Sequence, residues 1–317
     1  MAIPAWALSL PIAIATLAAC SGDRVHDDRF AQQLEIPAGI ETVRVEVSEG
    51  SITFENGAPG VVAIEAMTRC VAPSGAALDR LKALDLRLQA EVAAPGVWVL
   101  RGAFPEDQAP AAADDNPRQR GRERLITRCM IRVPPELAVE CRTRLGPVSA
   151  MARQGRVRLE TGTGPVRLDQ CRGDAVLRIG RGAVLVDGHA GSLDIELATW
   201  QGAPVREREG DTLQVFMTAL GPDGVRIVAP HANVQCHLPD ETGFEMQVTS
   251  GAGRGRNGFG VPVTPLEGKK FGMAMRGIVG AGGPPLQIAV DHGNVSVRRR
   301  LTPDGPAKDP ASPEREG

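Results

Sequence analysis

A nine-residue glycine repeat constrains the fold of this chain more than any other feature. Glycine occurs at positions 146, 155, 164, 173, 182 and 191 without a shift in spacing. The second and fourth residues after each of these glycines are apolar in every unit, from Val148 and Ala150 to Leu193 and Ile195. The residues between them are mixed and mostly polar, a pattern typical of short strands that end in a Gly turn. Such internal repetition predicts a stacked β-structure.

The repeat also predicts which residues are neighbours. Two nine-residue units would form one 18-residue coil, with one unit on each of two facing sheets, so that residue i lies about 4.8 Å from residue i+18. Leu159 and Leu177 would then be neighbours on adjacent parallel strands. Glu160, Arg178 and Glu196 would form an outward ladder of alternating charge. The block lacks the Gly-Gly-x-Gly-x-Asp sequence of calcium-binding β-rolls, so no calcium ladder is predicted.

The rest of the chain is predicted to be β-structure with one exception. Alternating strand patterns begin at Thr42, and the unit at 293–297 again places Val two and four residues after a Gly. One short helix is predicted near 75–84, with Ser74 as its N-cap. The predicted fold class is all-β, namely a β-solenoid or stacked two-sheet β-helix-like repeat with nine-residue half-rungs. An antiparallel sandwich is the alternative if the 18-residue stacking fails.

Composition divides the chain into a small number of segments. The predicted segments are a signal peptide at 1–19, a lipid-anchored tether at 20–37, a β-strand-repeat domain at 38–300 and a disordered tail at 301–317. Within the domain, the repeat core is predicted at 137–197, and residues 105–122 are predicted to form a disordered loop because they carry no large apolar side chain.

The end of the signal peptide carries a second recognisable pattern. Leu17-Ala18-Ala19-Cys20 resembles a bacterial lipobox, which implies cleavage before Cys20 and lipidation of that cysteine. Ser21, by resemblance to Gram-negative lipoproteins, implies delivery to the outer membrane. The predicted localisation is therefore exported and lipid-anchored to the cell envelope. An ordinary secretory signal followed by a chance cysteine is the alternative.

Five cysteines remain after Cys20, an odd number for an exported protein. Cys70 and Cys129 both follow Thr-Arg near the ends of predicted strands, and they would form a disulfide if those strands are neighbours. Two buried free thiols are the alternative. Since no Cys-x-x-Cys spacing occurs, neither a zinc site nor a redox motif is predicted.

Patterns that would indicate catalysis are missing from the sequence. The Gly-rich stretch 251–258 lacks the Lys-Ser/Thr ending of a phosphate-binding loop. His231 and His237 lie about 20 Å apart on an ideal strand, too far to share a metal. Asp169 and Asp187 are the carboxylates expected to stack, and a solvated sheet surface is the simpler interpretation of them. No cofactor is predicted, and a net charge of −2 gives no indication of nucleic-acid binding.

Several of these features together resemble one bacterial family. They are the β-units at 146–197, the strand-Pro endings at 131–134 and 234–239, and the closing unit at 293–297. The family is the β-strand-repeat "putative adhesin" domain, a domain of unknown function, and the resemblance covers about residues 40–300. It implies a β-solenoid or sandwich-like fold and brings no catalytic residues.

The sequence thus predicts a protein that is not an enzyme. The expected function is that of a cell-envelope lipoprotein, a structural or binding scaffold of the adhesin type. Its expected partners are the membrane, through the lipid at Cys20, and an unidentified envelope protein or glycan. Two alternatives remain open, a carbohydrate-active β-helix acting on envelope polysaccharide and a periplasmic regulatory partner protein. A deep groove lined by Asp169, Asp187 or other carboxylates would favour the carbohydrate-active alternative, and a smooth, closed solenoid would count against it.

Overall fold

The computed structural model describes residues 23–102, 123–198 and 211–300, and these are almost entirely β-structure. Their elements are β1 (Arg24–Glu35), β2 (Thr42–Asn56), β3 (Val61–Ala72), α1 (Gly75–Lys82), β4 (Gln89–Ala94), β5 (Val97–Arg101), β6 (Arg124–Val133), β7 (Ala138–Leu145), β8 (Val148–Met151), β9 (Val157–Thr163), β10 (Val166–Asp169), β11 (Ala175–Arg181), β12 (Val184–Leu197), β13 (Asp211–Pro239), β14 (Phe244–Ala252), β15 (Gly255–Asn257), β16 (Val263–Pro265), β17 (Met273–Val279), β18 (Pro285–His292) and β19 (Val295–Arg300). No helix in these three ranges is long and apolar enough to cross a membrane. The predicted signal peptide, Cys20, the loop at 105–122 and the tail at 301–317 lie outside the described residues.

The nine-residue repeat forms parallel strands in the predicted register. β9 pairs with β11 so that Leu159 lies beside Leu177. β10 pairs with β12 in the same sense, which places Leu168 beside Val186. The twelve apolar side chains at the two inward positions of the repeat are each at most 2% exposed. The 18-residue stacking expected from the sequence is therefore confirmed.

The strand pairings form two long ladders that share one hydrophobic core. The first ladder runs β4–β5–β2–β7–β9–β11–β12–β13–β18–β14–β17–β16. The second ladder runs β1–β3–β6–β2–β8–β10–β12–β13–β19–β15. β2, β12 and β13 belong to both because different parts of each strand pair in each ladder. Most inward side chains of both ladders form one cluster, whereas Cys70, Ala72 and Leu125 form a second cluster with α1.

Each end of the fold contains a coil that is inserted out of chain order. β2 lies between β5 and β7 in the first ladder and between β6 and β8 in the second. β18 lies between β13 and β14, and β19 lies between β13 and β15. Antiparallel strands then cover the outermost coils, β1, β3 and β4 at one end and β16 and β17 at the other.

Stacked glycines form one corner of the repeat. Gly146, Gly164 and Gly182 have φ angles of 134°, 150° and 143°, a region that side-chain-bearing residues rarely adopt. A Cβ atom on Gly164 would lie 2.2 Å from the carbonyl oxygen of Gly146, and one on Gly182 would lie 2.2 Å from that of Gly164. Because successive coils touch through their backbones here, both the backbone conformation and the available space require glycine.

A column of buried polar residues follows the second-ladder strands of the repeat at the same 18-residue spacing. It consists of Arg153, Cys171 and His189. Arg153 is fully buried and donates hydrogen bonds to the carbonyl oxygens of Val133 (2.6 Å) and Pro134 (2.5 Å), and burial lowers its pKa to about 10. Burial also raises the pKa of Cys171 and lowers that of His189. Arg153 therefore joins the end of β6 to the repeat block.

The short helix agrees with its prediction, whereas the tether needs correction. α1 lies within the predicted range 75–84, and the Ser74 Oγ accepts a hydrogen bond from the Ala77 backbone N–H at 3.2 Å. The segment 20–37, however, is not a tether along its whole length. β1 occupies most of it and pairs antiparallel with β3. An edge strand needs only one hydrogen-bonded neighbour, and its charged side chains protect the free edge, so a polar segment can form such a strand.

The disulfide between Cys70 and Cys129 is not formed. β3 and β6 are antiparallel neighbours, as the disulfide required, but Cys70 lies opposite Leu125 and Cys129 lies opposite Ala66. The two cysteines are thus offset by four residues, roughly 13 Å along a strand. Both thiols are free and buried, and burial raises their pKa values to about 11 and about 12. They serve as small core residues.

Replacing Gly164 by Ala is expected to lower the free energy of unfolding by about 3 kcal/mol or more, because the new Cβ would meet the backbone of Gly146 at a φ that alanine rarely adopts. Gly39→Ala is the matched control, since Gly39 also has a positive φ of 79° but no atom lies within 4 Å of its Cβ position. Its expected loss is about 1 kcal/mol. Urea denaturation followed by circular dichroism measures both values, and equal losses would contradict a packing role for this corner.

Candidate functional site

The outward side of the first ladder is covered by paired charges. Within the described ranges, eight ion pairs link side chains there, namely Arg44–Glu140, Arg101–Glu46, Arg101–Glu91, Arg142–Glu160, Arg158–Glu160, Arg178–Asp194, Arg178–Glu196 and Arg226–Asp194. Exposed pairs of this kind add only about 0.2–1 kcal/mol each to stability. Because these charges already satisfy one another, this face offers few free groups to a ligand.

The predicted outward column of alternating charge lies within this face. Arg178 is the register neighbour of both Glu160 and Glu196, as expected. Its ion pairs are with Asp194 at 2.5 Å and Glu196 at 3.4 Å. Burial opposes the charge on Glu160, but hydrogen bonds from Arg158 and Arg142 outweigh it and lower the pKa of Glu160.

The outward side of the second ladder is different, because it holds a groove of about 1350 Å³. Eight strands of this ladder, from β1 at its edge to β13, contribute to the lining. The turns that carry Pro147 and Pro165 border the groove as well. Since side chains of strands so far apart in the ladder line one cavity, the ladder curves around it. We call this cavity the second-ladder groove.

Apolar side chains occupy outward positions in the second-ladder groove. Met67, Val71, Ile126 and Leu185 are half-buried, and Val25 is 47% exposed. Outward positions of a half-buried sheet are ordinarily polar, so these side chains mark an uncovered apolar surface. Clefts of this composition, with a few convergent polar groups, are the usual form of ligand sites.

A column of aligned side chains crosses the second-ladder groove from β2 to β13. Thr53, Ser149, Arg167, Leu185 and Gln214 are successive neighbours in register. The hydroxyl of Ser149 donates a hydrogen bond to that of Thr53 at 2.9 Å. The repeat therefore sets this column directly, because each member occupies the same position in its own coil.

Three of the four arginines in the groove have carboxylate partners. Arg69 forms two hydrogen bonds with Asp27, at 2.7 and 2.9 Å, which raise the pKa of Arg69 and lower that of Asp27. Arg124 donates to both carboxylate oxygens of Glu49. The third, Arg167, pairs with the Asp169 carboxylate at 2.9 Å.

Arg128 is the exception. It is half-buried, and among the residues that the structure describes it forms no ion pair. Its register neighbours are Met67 on β3 and Ser51 on β2, both of which also line the groove. The groove therefore contains one guanidinium group whose donors are not used by a carboxylate, next to apolar and hydroxyl-bearing side chains.

The candidate carboxylates from the sequence lie elsewhere. Asp169 and Asp187 are register neighbours, as expected, but neither lines the groove. Arg167 pairs with Asp169, and Arg300 lies 3.8 Å from Asp187. The carboxylates that do line the groove, Asp23 and Glu49, were not singled out from the sequence.

His231 and His237, the histidines considered from the sequence, each stack on another ring. His231 stacks on His292 of the neighbouring strand, with ring centroids 4.9 Å apart, and His237 stacks on Phe216 at 4.6 Å. Within the described ranges, no group of three or more His, Cys, Asp or Glu side chains could hold a metal ion. Cys20, the predicted lipidation site, lies outside those ranges.

The second-ladder groove was not predicted from the sequence, although one signal was present. Outward positions of β3 and β6 alternate between arginines and the apolar residues Met67, Val71 and Ile126, where a solvated strand would carry mainly polar residues. The placement of β1, β3 and β6 beside the repeat could not be predicted from the sequence, because it depends on the insertion of β2.

Comparisons with known proteins give similarity only at the level of solved structures. Neither a protein-family model nor a curated protein matches the chain. A protein named "putative cell adhesion protein" from Clostridium sporogenes is 11% identical, covers 86% of this chain and 100% of its own, and has a TM-score of 0.31. A "putative adhesin" from Bacteroides fragilis is 9% identical, with coverages of 86% and 97% and a TM-score of 0.32. A "putative lipid binding protein" from Parabacteroides distasonis is 10% identical, with the same coverages and a TM-score of 0.21.

Proposed function

We propose that this chain is a non-enzymatic binding scaffold of the cell envelope. In this proposal it is an exported β-solenoid, anchored by lipid on Cys20, and the second-ladder groove is its binding surface. The binding role of the adhesin-type scaffold expected from the sequence is thereby assigned to one face of the fold. The parallel coils with 18-residue spacing support the solenoid, and the signal and lipobox pattern supports export and anchoring.

One observation carries the binding role, namely the contrast between the two outward faces. The first ladder presents charges that pair with one another. The second ladder presents a curved, largely apolar cavity that remains uncovered in the described chain. Uncovered apolar surface is costly in water, so its presence in a groove is best explained by a ligand.

The alternative of a carbohydrate-active β-helix is less well supported. Asp169 and Asp187 do not line the groove, and the carboxylates that do are Asp23 and Glu49. Of the two carboxylates that line it, Glu49 is bound by Arg124 through both oxygens. Both oxygens of Glu49 are therefore already engaged as hydrogen-bond acceptors of the Arg124 guanidinium group.

Substitution of Leu185 by Glu is expected to weaken binding of a neutral apolar dye such as Nile red at least tenfold, because it introduces a charge into the groove. The measurement is a fluorescence titration in the Cys20→Ala background, which removes acyl chains that the dye would also bind. Val176→Glu is the matched control. Val176 is also half-buried and outward, but it lies on the first ladder, outside the groove. Equal effects of the two substitutions, or no saturable binding at all, would contradict the proposed site.

Substitution of Cys20 by Ala is expected to abolish incorporation of labelled palmitate and to release the protein from the membrane fraction. Cys70→Ala is the control, because Cys70 is a buried core thiol and its loss leaves the lipobox intact. Both measurements use cells that produce the full-length chain. If the Cys20→Ala protein stays membrane-bound and its labelling is unchanged, lipidation at this residue is excluded.

A further inference from the structure

We infer that the second-ladder groove binds an anionic phospholipid of the same membrane to which the chain is anchored. This inference rests on the proposed function, because it requires both the lipid anchor at Cys20 and the groove as a binding surface. It adds the chemical class of the ligand and its source. Three independent features of the groove support it: its distance from the anchor, its apolar lining and its charge.

The first feature is the short connection between the anchor and the groove. Asp23 and Val25 line the groove, and β1 begins at Arg24. Cys20 precedes Asp23 by three residues, which span at most about 11 Å even when fully extended. An acylated Cys20 would therefore hold this end of the groove at the bilayer surface. The ligand with the highest local concentration there is a membrane lipid.

The second feature is the position of the apolar side chains. Val25 and Val71 are register neighbours at the end of the groove nearest Cys20. Ile126 lies opposite the next outward position of β3, which Arg69 occupies, and Met67 lies one outward position further along β3. Leu185 extends the apolar lining towards β13. An acyl chain that enters at the membrane end would meet the apolar side chains of β1, β3 and β6, and the contact would remove both from water.

The third feature is the charge of the groove. Three of the four arginines in its lining pair with the carboxylates of Asp27, Glu49 and Asp169, so their charges are balanced. Arg128 forms no ion pair within the described ranges, so its guanidinium group can bind a phosphate through two parallel hydrogen bonds. The hydroxyl group of Ser51 lines the same groove and can donate a further hydrogen bond to a phosphate oxygen. A negatively charged headgroup therefore complements the groove better than a zwitterionic one.

Photocrosslinking tests this inference on the lipidated full-length chain. The chain is reconstituted in nanodiscs that contain either phosphatidylglycerol or phosphatidylcholine with a diazirine on the acyl chain, and the modified residues are mapped by mass spectrometry. We expect adducts on the groove side of β6 and β12, about tenfold more abundant with phosphatidylglycerol. Arg128→Gln should reduce the phosphatidylglycerol adducts to the phosphatidylcholine level. Arg256→Gln is the control, because Arg256 is exposed on β15 outside the groove and should change nothing.

Three results would overturn the inference. Adducts spread equally over both outward faces would reflect only proximity to the membrane. Equal adducts from the two lipids, unchanged by Arg128→Gln, would show apolar binding without headgroup recognition. Absence of groove adducts while Leu185→Glu still weakens dye binding would mean that the groove holds another occupant, such as the acyl chains of Cys20 itself. That last result would contradict only the phospholipid inference. If Leu185→Glu and Val176→Glu also affected dye binding equally, the proposed binding surface would be contradicted as well.

Discussion

The fold depends on direct backbone contact between coils at the glycine corner. Gly146, Gly164 and Gly182 stack so closely that any Cβ atom would meet the carbonyl oxygen of the coil before it. This contact fixes the turn after each first-ladder strand and so fixes the 18-residue period. A fixed period in turn places equivalent residues in straight columns, because each coil starts at the same corner. The core is built mainly of Val, Leu, Ile and Ala, and the buried aromatic residues Phe54, Trp98 and Phe244 belong to strands towards the two ends of the ladders.

The same columns give the two outward faces their different chemistry. On the first ladder, arginines and acidic residues alternate between neighbouring coils, as with Arg142 and Glu160, and their charges are satisfied within the protein. On the second ladder, the outward columns meet β3 and β6, whose outward residues include Met67 and Ile126. The ladder curves there and encloses the groove. We propose that the ligand binds to the surface that the repeat and the antiparallel N-terminal strands form together.

The sequence was sufficient for the repeat and insufficient for the ends of the fold. The parallel register of Leu159 with Leu177 followed from periodicity, because each unit repeats the same local pattern. The strand β1 could not be predicted in this way, because its charged residues fit an edge strand and a tether equally well. The offset of Cys70 from Cys129 depends on the register of β3 with β6, which no local pattern encodes. The groove was missed for the same reason, since insertion of β2 between β6 and β8 is a long-range feature.

The most direct test of the link between coil geometry and binding is a crystal structure of the Cys20→Ala chain grown with a short-chain phosphatidylglycerol. We expect electron density for the acyl chains over Ile126 and Leu185, with the phosphate within hydrogen-bonding distance of Arg128. The column Thr53, Ser149, Arg167, Leu185 and Gln214 should lie along the bound lipid. Lipid density on the charged face of the first ladder, or a register that breaks this column, would contradict the account.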